Sequence, residues 1–368
     1  MERLKVNYVS PWNIDCGVCA YAMFLERELR KKNIALNVLP IDRLLRKNPF
    51  YFISLALRAR KNADLVNVQH EPMAFGKLWH MANIFTPLFY SILAFPKRPR
   101  IITTIHEPTT EPRQRGIEGI IARAYIRFVD WFIISFSDII IILSRHGEGV
   151  MRKKGARNIV VIPHGSYVEP KPLNREEAKK NFLLNGRKVI TIFGFINRRK
   201  NYLQIARVLK HLPKNVSLLI AGGIGDEAYY ESIVAYLAEN ALSKRVVFSG
   251  LAKEKDFPPI FSASDVVLFP YTDIMQSGAL SVALAYKKPC ICSDIPGFRE
   301  VKEEFNCIEL AASDSEWMEK IKSLLRNKNR LNKGIAEYRK KTNYRAIAQR
   351  VFEQYAIVAS KGGQLAEA

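Results

Sequence analysis

The sequence predicts an α/β protein made of two doubly wound halves, and three observations support this fold class. Short apolar runs alternate with longer helical patterns, which is typical of βαβ units and a mostly parallel sheet. The chain has 368 residues, enough for two domains of ordinary size. The alternation breaks once, at residues 167–174, where Pro170 and Pro172 disfavour helix and strand, and then begins again.

The elements of the first half follow from the spacing of apolar and charged residues. A strand is predicted at residues 4–9. A helix follows at 21–32, where Phe24, Leu25 and Leu29 recur at helical spacing among charges. Further strands are predicted at residues 36–40, 64–69, 100–105, 138–144 and 159–163. These elements are sufficient for one doubly wound sheet.

The second half repeats the pattern. Strands are predicted at residues 188–193, 217–221, 246–249, 265–270 and 290–293. Helices are predicted at residues 201–211, 227–240, 277–286 and 316–326, and a last amphipathic helix at 344–360. Ligands of doubly wound sheets bind at the carboxyl ends of the strands, so the site is expected in a cleft that the two halves face.

Residues 78–96 lack a formal charge, and this raises the question of a membrane segment. They include His80, Asn83 and Pro87, which makes a spanning helix a poor fit. A buried core helix is the favoured interpretation. The alternative is a peripheral contact with an anionic membrane, supported by neighbouring cations and by the apolar residues 50–53.

Charge and composition limit the classes of partner. The 57 Lys and Arg residues exceed the 35 Asp and Glu residues, which gives a net charge of +22 and predicts anionic partners. The excess is spread evenly, so no nucleic-acid arm is indicated. An apolar share of 48% excludes wholesale disorder and a small disulfide-stapled fold. Five cysteines and no visible secretory leader predict a cytoplasmic protein, with the inner face of the membrane as a peripheral alternative.

A polar loop after the strand at 265–270 resembles an anion site. The following helix begins near Ser277 and Gly278, where glycine permits close approach of a ligand to the backbone. The free N–H groups of a first helical turn, together with the helix dipole, favour a phosphate. The alternative is an ordinary N-cap formed by Ser277 in front of a packed helix.

A second loop, after the strand at 188–193, combines Gly194 with three successive cations, Arg198, Arg199 and Lys200. Cations at the beginning of a helix oppose its dipole unless an anion lies nearby. This conflict with the local rule indicates a functional site. A solvated basic turn is the alternative interpretation.

Candidate residues of the first half lie in equivalent loops. Gly17 follows the first strand, and His70, His106 and His164 each follow a strand end. A histidine there can contact a sugar hydroxyl or a transition state, although each one alone also fits a hydrogen-bonded structural role. No metal site is predicted. A zinc site could in principle be assembled from four cysteines, Cys16, Cys19, Cys290 and Cys292. Buried thiols without a metal are the favoured interpretation.

Taken in order, these segments resemble family 4 of the retaining glycosyltransferases, the glycosyl transferases group 1, which have the GT-B fold of two Rossmann-like domains facing a central cleft. The resemblance runs nearly from end to end. It rests on residues 16–21, 67–71, 103–106, 162–165, 193–201, 221–223, 248–250, 264–271 and 293–300. It implies an acceptor-side domain at 1–168, a donor domain at 169–345 and a tail helix at 346–368 that packs back on the first domain.

The resemblance also implies a phosphate site. Lys200 would neutralise the diphosphate of a nucleotide sugar, with Arg198 as its companion. The backbone amides of Ser277, Gly278 and Ala279 would hold the distal phosphate. Fixed cations and helix amides of this kind stabilise the charge that develops on a leaving diphosphate.

Further implied roles concern the sugar, the base and the acceptor. His106 would contact the donor sugar near the reacting carbon, and Gly17 would lie beside the donor phosphate and the acceptor. Gly250 and Leu251, within residues 248–252, would border the base. Gly194 would belong to the basic phosphate loop.

The sequence departs from the family pattern at three places. Ile274 and Val282 stand where many members carry a pair of glutamates, and Asp273 is offered as a replacement for the first. Gln276 belongs to a Gln-Ser-Gly variant found in some branches. Phe195 stands where many members have an arginine.

The resemblance therefore implies a retaining, metal-independent transfer of sugar from a UDP- or GDP-linked donor to an acceptor hydroxyl. The nucleotide sugar is a substrate, and no cofactor is expected. A lipid-linked or surface glycan is the expected acceptor, and no nucleic acid is expected as a partner. Two alternatives stay open: a non-enzymatic nucleic-acid-binding or scaffold protein on the same fold, and a GT-B nucleotide-sugar epimerase.

Overall fold

A computed structural model of the chain describes residues 3–12, 17–42, 44–78, 81–95, 98–109, 116–166 and 170–363. The chain divides into two compact units. Unit 1 comprises Met1–Gly165 together with Tyr344–Ala368, and unit 2 comprises Ser166–Asn343. Each unit is built around its own six-stranded sheet.

The sheet of unit 1 is parallel throughout. Its strands are β1 (Leu4–Pro11), β2 (Ile34–Ile41), β3 (Leu65–His70), β6 (Arg100–Ile105), β7 (Ile139–Ile142) and β8 (Ile159–Val161), while β4 (Lys77–Leu78) and β5 (Met81–Ala82) form a separate short hairpin. The strand order is β2-β1-β3-β6-β7-β8. The chain reverses direction across the sheet between β1 and β3, so this is the switch point where such sheets bind ligands.

Five helices connect these strands: α1 (Gly17–Leu29), α2 (Pro49–Arg60), α3 (Thr86–Ala94), α4 (Ile117–Phe136) and α5 (Arg145–Lys153). The sequence fixes some of their beginnings. The side chain of Asn48 accepts a hydrogen bond from Phe50 N at 3.0 Å, and Pro49 supplies the preset φ of a first helical residue. Helices α2 to α5 bury their apolar sides against the same face of the sheet.

Unit 2 has the same architecture. Its strands are β9 (Lys188–Phe193), β10 (Val216–Ala221), β11 (Val246–Gly250), β12 (Val266–Phe269), β13 (Cys290–Ser293) and β14 (Ile308–Ala311). Its helices are α6 (Arg175–Lys180), α7 (Tyr202–Lys210), α8 (Glu227–Glu239), α9 (Phe257–Ala263), α10 (Gly278–Ala285), α11 (Pro296–Phe305), α12 (Asp314–Arg326) and α13 (Asn332–Thr342). The parallel order β11-β10-β9-β12-β13-β14 places the switch point between β9 and β12.

The last helix, α14 (Tyr344–Gly363), returns to unit 1 and packs on α1. Tyr344 stacks on Phe24 of α1 with ring centroids 5.2 Å apart. A Cβ at Gly165 would come within 2.4 Å of the Tyr344 ring, so the chain needs glycine at this point. The helix buries Ile347, Val351 and Tyr355, which makes it part of the unit 1 core.

The predicted fold class is confirmed, since both units are doubly wound parallel sheets covered by helices. The strands at residues 100–105, 188–193 and 290–293 have the predicted bounds. Residues 78–96 contain a buried core helix, as predicted, but it is shorter than the uncharged segment: β5 occupies an earlier part, and α3 begins only at Thr86, beside Pro87. No helix in the described part of the chain combines the length and hydropathy that crossing a membrane requires.

Candidate functional site

The two loops of unit 2 that were predicted as anion sites lie side by side. They follow β9 and β12, which are hydrogen-bonded neighbours at the switch point. Thr272, in the loop after β12, donates its backbone N–H to the carbonyl oxygen of Arg199 at 2.8 Å, and its hydroxyl to the same oxygen at 3.2 Å. The two loops therefore form one surface at the carboxyl edge of the sheet.

Gly194 allows the amine of Lys200 to lie directly against the backbone. Its φ is +121°, a conformation that side chains disfavour. A Cβ at this position would lie 1.9 Å from Nζ of Lys200. The hydroxyl of Tyr202 donates to the Gly194 carbonyl at 2.5 Å and fixes the turn. Glycine is thus required here to give the lysine its position.

Lys200 ends a short 3₁₀ turn, Arg198–Lys200, and is half-buried. Burial, followed by the nearby charge of Arg199, lowers the pKa of its amine to about 8. No carboxylate in the described part of the chain forms an ion pair with it. A desolvated cation without an acidic partner is suited to binding an anionic ligand.

Tyr271 connects Lys200 with the second loop. The amine of Lys200 lies 5.3 Å from the centroid of the Tyr271 ring, within the range of a cation–π contact. The Tyr271 hydroxyl donates to the carbonyl oxygen of Phe193 at 3.4 Å. Burial raises the pKa of this phenol, and an interaction with the Ser277 side chain opposes that rise. Tyr271 was not among the residues predicted from the sequence, although an aromatic residue directly after a strand end is a signal that could have identified it.

Ser277 is the N-cap of α10, and its hydroxyl accepts a hydrogen bond from Leu280 N at 3.1 Å. The backbone N–H groups of Gly278 and Ala279 belong to the first turn, which contains no acidic residue. Such a turn presents donors and a partial positive charge at the same edge of the sheet as Lys200.

The loop after β12 also contains the candidates Asp273 and Gln276. Asp273 is exposed and Gln276 is half-buried, both within residues 270–277. They lie in the same loop as Ser277, on the segment that leads into α10. Their proposed contacts with a donor sugar stay predictions.

Arg198 has a partner other than the one expected. Its guanidinium lies 3.2 Å from a carboxylate oxygen of Asp226 and 5.6 Å from the centroid of the Tyr229 ring. Asp226 also caps α8 by accepting from Tyr229 N at 2.9 Å. The structure therefore directs Arg198 towards the beginning of α8, and its role beside Lys200 stays a prediction.

An exposed apolar surface adjoins the loop after β9. Phe195 and Leu251 are 43% and 47% exposed, and both approach the Cβ position of Gly223 to 3.1 Å. Gly250 ends β11 at a φ of +73° and directs the chain into Leu251. These residues can cover the face of a flat ring, and their contact with a base stays a prediction.

In unit 1, the candidate histidine His106 follows β6 and is held by Gln69 of β3. Its Nε2 lies 2.9 Å from Gln69 Oε1. The Gln69 amide donates to Asn67 at 2.7 Å and to Thr104 at 3.3 Å, so its oxygen is left to accept. Nε2 of His106 therefore carries a proton and Nδ1 is an acceptor. Burial, followed by the nearby His164 and His70, lowers the pKa of His106 to about 3, so the ring is neutral.

Tyr21 of α1 contacts two of the candidate histidines. Its ring makes edge contacts with His106 at 4.9 Å and with His164 at 5.1 Å between centroids. His164 donates from Nδ1 to the Gly165 carbonyl at 2.7 Å, and burial lowers its pKa. His70 differs because it is 2% exposed and stacks on Phe75 at 5.0 Å, which favours its structural interpretation.

The remaining candidates concern the glycine loop and metals. Gly17 is the exposed first residue of α1, and a Cβ there would meet no atom within 4 Å. Cys16 lies outside the described residues. Cys19, Cys290 and Cys292 are buried. Within the described residues, no group of three or more His, Cys, Asp or Glu side chains is placed to hold a metal ion.

The chain is similar to known proteins both in sequence and in fold. Residues 174–346 match the family described as Glycosyl transferases group 1. No curated protein matches the chain in sequence. Among solved structures, HepE from Anabaena, in complex with UDP-glucose, aligns with a TM-score of 0.75 at 16% identity, covering 96% of this chain and 100% of its own.

Two further structures show the same architecture. Sucrose-phosphate synthase from Thermosynechococcus elongatus aligns with a TM-score of 0.77 at 17% identity, covering 98% of this chain and 100% of its own. WaaG, a glycosyltransferase involved in lipopolysaccharide biosynthesis, aligns with a TM-score of 0.66 at 12% identity, covering 94% and 98%. The predicted resemblance is therefore confirmed: residues 174–346 match the glycosyl transferases group 1 in sequence, and the chain has the two Rossmann-like domains of the GT-B fold.

Proposed function

We propose that the protein transfers a sugar from a nucleotide diphosphate sugar to an acceptor hydroxyl with retention of configuration. One observation carries this proposal. The half-buried amine of Lys200, which pairs with no carboxylate among the described residues, and the first turn of α10 lie at the same sheet edge, connected by Tyr271. Two positive features side by side suit the two phosphates of a nucleoside diphosphate.

A UDP-linked donor is the first candidate. The structure of HepE, a fold relative, contains UDP-glucose. A GDP-linked donor stays a second candidate, because no described contact in this chain selects one base over the other. Phe195 and Leu251 offer an apolar surface for the base beside Lys200, and Gly250 directs Leu251 to it.

Breaking the bond between sugar and phosphate leaves negative charge on the diphosphate. Lys200 and the amides of Gly278 and Ala279 would stabilise this charge more strongly in the transition state than in the bound donor. These groups need no reorganisation at the moment of reaction, because the Gly194 turn and Tyr271 already hold the lysine. We propose that this positive charge makes a metal ion unnecessary.

His106 would act on the sugar as a neutral ring. Its protonated Nε2 is engaged by Gln69, so Nδ1 remains to accept a hydrogen bond from a sugar hydroxyl. Asp273 and Gln276 would contact other hydroxyls of the donor sugar. Arg198 would reach the diphosphate after its side chain leaves Asp226. Gly17, which has no side chain, would leave room for the acceptor.

We propose a lipid-linked or surface glycan as the acceptor. The net charge of +22 supports an acceptor that is anionic or held at an anionic surface. One relative in fold, WaaG, is involved in lipopolysaccharide biosynthesis. The same charge favours peripheral contact with an anionic membrane, where such acceptors are anchored.

The test is nucleotide release from a panel of UDP-, GDP- and ADP-sugars, with and without a membrane-lipid extract and with and without EDTA. Release from one donor, stimulated by the extract and insensitive to EDTA, is expected. Conversion of the donor sugar into an epimer without transfer would replace the proposal with the epimerase alternative. No release and no thermal shift with any nucleoside diphosphate would leave the non-enzymatic alternative.

A further inference from the structure

The outward side of α4 in unit 1 carries an apolar stripe that no described element of the unit covers. The α4 stripe consists of Ile117, Ile120, Ile121, Phe128 and Trp131, which are 76%, 60%, 61%, 54% and 55% exposed. Ile117, Ile121, Phe128 and Trp131 recur at helical spacing and share one side of the helix. The opposite side packs into the unit 1 core through Val129 and Ile133.

The apolar surface continues beyond α4. Trp131 lies 6.1 Å from Phe136 and Phe136 lies 5.9 Å from Phe95, measured between ring centroids. Phe95, at the end of α3, is itself 62% exposed. A continuous patch of large apolar side chains across two helices marks an interaction surface, because scattered single residues would need no explanation.

A cationic rim borders the α4 stripe at Trp131. The groove between α4 and α5 is lined by Trp131 and by four cations, together with Asp130: Arg127, Lys153, Lys154 and Arg157. Lys154 pairs with Asp130 at 2.5 Å, whereas Lys153 and Arg157 are exposed. Trp131 thus stands at the border between apolar and positively charged surface.

We propose that this face docks on the surface of an anionic lipid bilayer. The α4 stripe would enter the boundary between headgroups and acyl chains, while Lys153 and Arg157 would contact acidic headgroups. Tryptophan is favoured at that depth because one part of its ring system is apolar and another is polar. A second copy of the chain fits the face less well, because two copies would bring rims of the same charge together.

This docking surface rests on the membrane contact of the proposed function and gives its location, but its test needs no donor, so it can fail while sugar transfer holds. The intact protein is sedimented with vesicles of phosphatidylcholine alone and with vesicles of equal parts phosphatidylcholine and phosphatidylglycerol. We expect binding to the anionic vesicles only, weakening as salt is raised. Equal binding to both vesicles, or to neither, would overturn the proposal.

Two variants locate the contact. Ile117→Ser combined with Ile121→Ser removes apolar surface, and Lys153→Glu combined with Arg157→Glu reverses the rim. Each is expected to reduce vesicle binding at least about tenfold with an unchanged thermal unfolding midpoint. The matched control is Ile357→Ser on α14, which is 44% exposed and should bind normally. Wild-type binding by both double variants would overturn the proposal.

Tryptophan fluorescence of the unmodified protein reports the contact directly, so this measurement does not depend on whether a variant folds. Binding should shift the emission of Trp131 to shorter wavelength, and Trp131→Phe should abolish most of the shift while retaining most of the binding. An unchanged shift in Trp131→Phe would place the contact elsewhere. A dimer in sedimentation velocity that Ile117→Ser with Ile121→Ser dissociates would assign the face to a second copy instead.

Discussion

The amine of Lys200 lies over the ring of Tyr271, 5.3 Å from its centroid, while the Tyr271 hydroxyl donates to the carbonyl of Phe193 at 3.4 Å. One buried aromatic side chain therefore contacts both the cation of the first loop and the end of the central strand. Contacts within the protein itself therefore hold the positive charge at the carboxyl edge of the sheet.

Replacing Lys200 by alanine should weaken binding of a nucleoside diphosphate or raise the reaction barrier by about 1.5–3 kcal/mol, because a charge-assisted hydrogen bond to phosphate is lost. Calorimetric titration with UDP and GDP measures the affinity. Lys210→Ala is the matched control, since Lys210 is an exposed lysine of α7 bonded to Asn240. Equal effects of the two variants would contradict the assignment of Lys200.

The lowered pKa of Lys200 predicts that diphosphate affinity falls above about pH 8. Only the charged amine attracts phosphate, and burial favours the neutral form, so binding must take up a proton as pH rises past the pKa. Titrations at about pH 7 and about pH 9 measure this loss. Lys200→Arg, whose charge persists, should abolish the pH dependence; a pH profile identical to that of the unmodified protein would refute this account.

Tyr271→Phe should lower the free energy of unfolding by about 1 kcal/mol, because a buried hydroxyl loses its hydrogen bonds, but should preserve diphosphate affinity within a few-fold. Tyr271→Leu should reduce affinity further, since it also removes the ring beneath Lys200. Denaturant unfolding and UDP titration separate the two effects. Equal affinities of the two variants would exclude a contribution from the ring.

His106→Ala should lower turnover much more than it weakens nucleotide binding, because the ring is assigned to the sugar and not to the diphosphate. Comparing kcat with the dissociation constant of UDP makes the distinction. Gln69→Leu is expected to act in the same direction but less strongly, since it only frees the ring that Gln69 holds at 2.9 Å. Unchanged turnover in His106→Ala would reject the assignment.

Acid should destabilise the protein through His70, whose pKa burial lowers to about 4. Between about pH 6.5 and about pH 4, His70 binds a proton in the unfolded chain but not in the folded chain, so the free energy of unfolding falls as the pH falls. The loss from this group is at most about 3 kcal/mol. Denaturant unfolding at several pH values should show a shallower decline for His70→Gln than for the unmodified protein; parallel declines would show that other groups dominate.

Much of the fold could be predicted because buried parallel strands are short apolar runs with clear ends, as at residues 188–193 and 290–293. Helix α4 could not be predicted, because it is apolar on its exposed side as well as on its buried side. Its apolar residues therefore do not show the periodicity that identifies a helix with one buried side. Strand β14 was missed because Glu309 interrupts its apolar run, although that carboxylate is buried among Lys302, Lys320 and Arg330.

The candidate site was predictable to the extent that it is local. Gly194, Lys200 and Ser277 lie in loops that connect a strand to the next helix, which is where doubly wound sheets bind phosphate groups. The contacts of Tyr271 with Lys200 and of Gln69 with His106 join residues far apart in the chain, so only the folded sheet brings them together. The ion pair between Arg198 and Asp226 is another such long-range contact.

The return of α14 to unit 1 also fixes an order of events during synthesis on the ribosome. Unit 2 is one uninterrupted stretch, Ser166–Asn343, and can complete its core as soon as it emerges. Unit 1 must wait until α14 has been synthesised, because Tyr344, Val351 and Tyr355 are part of its interior. A nascent chain that stops after Asn343 would therefore carry a finished second unit and a first unit with an open core, a ready target for chaperones and proteases.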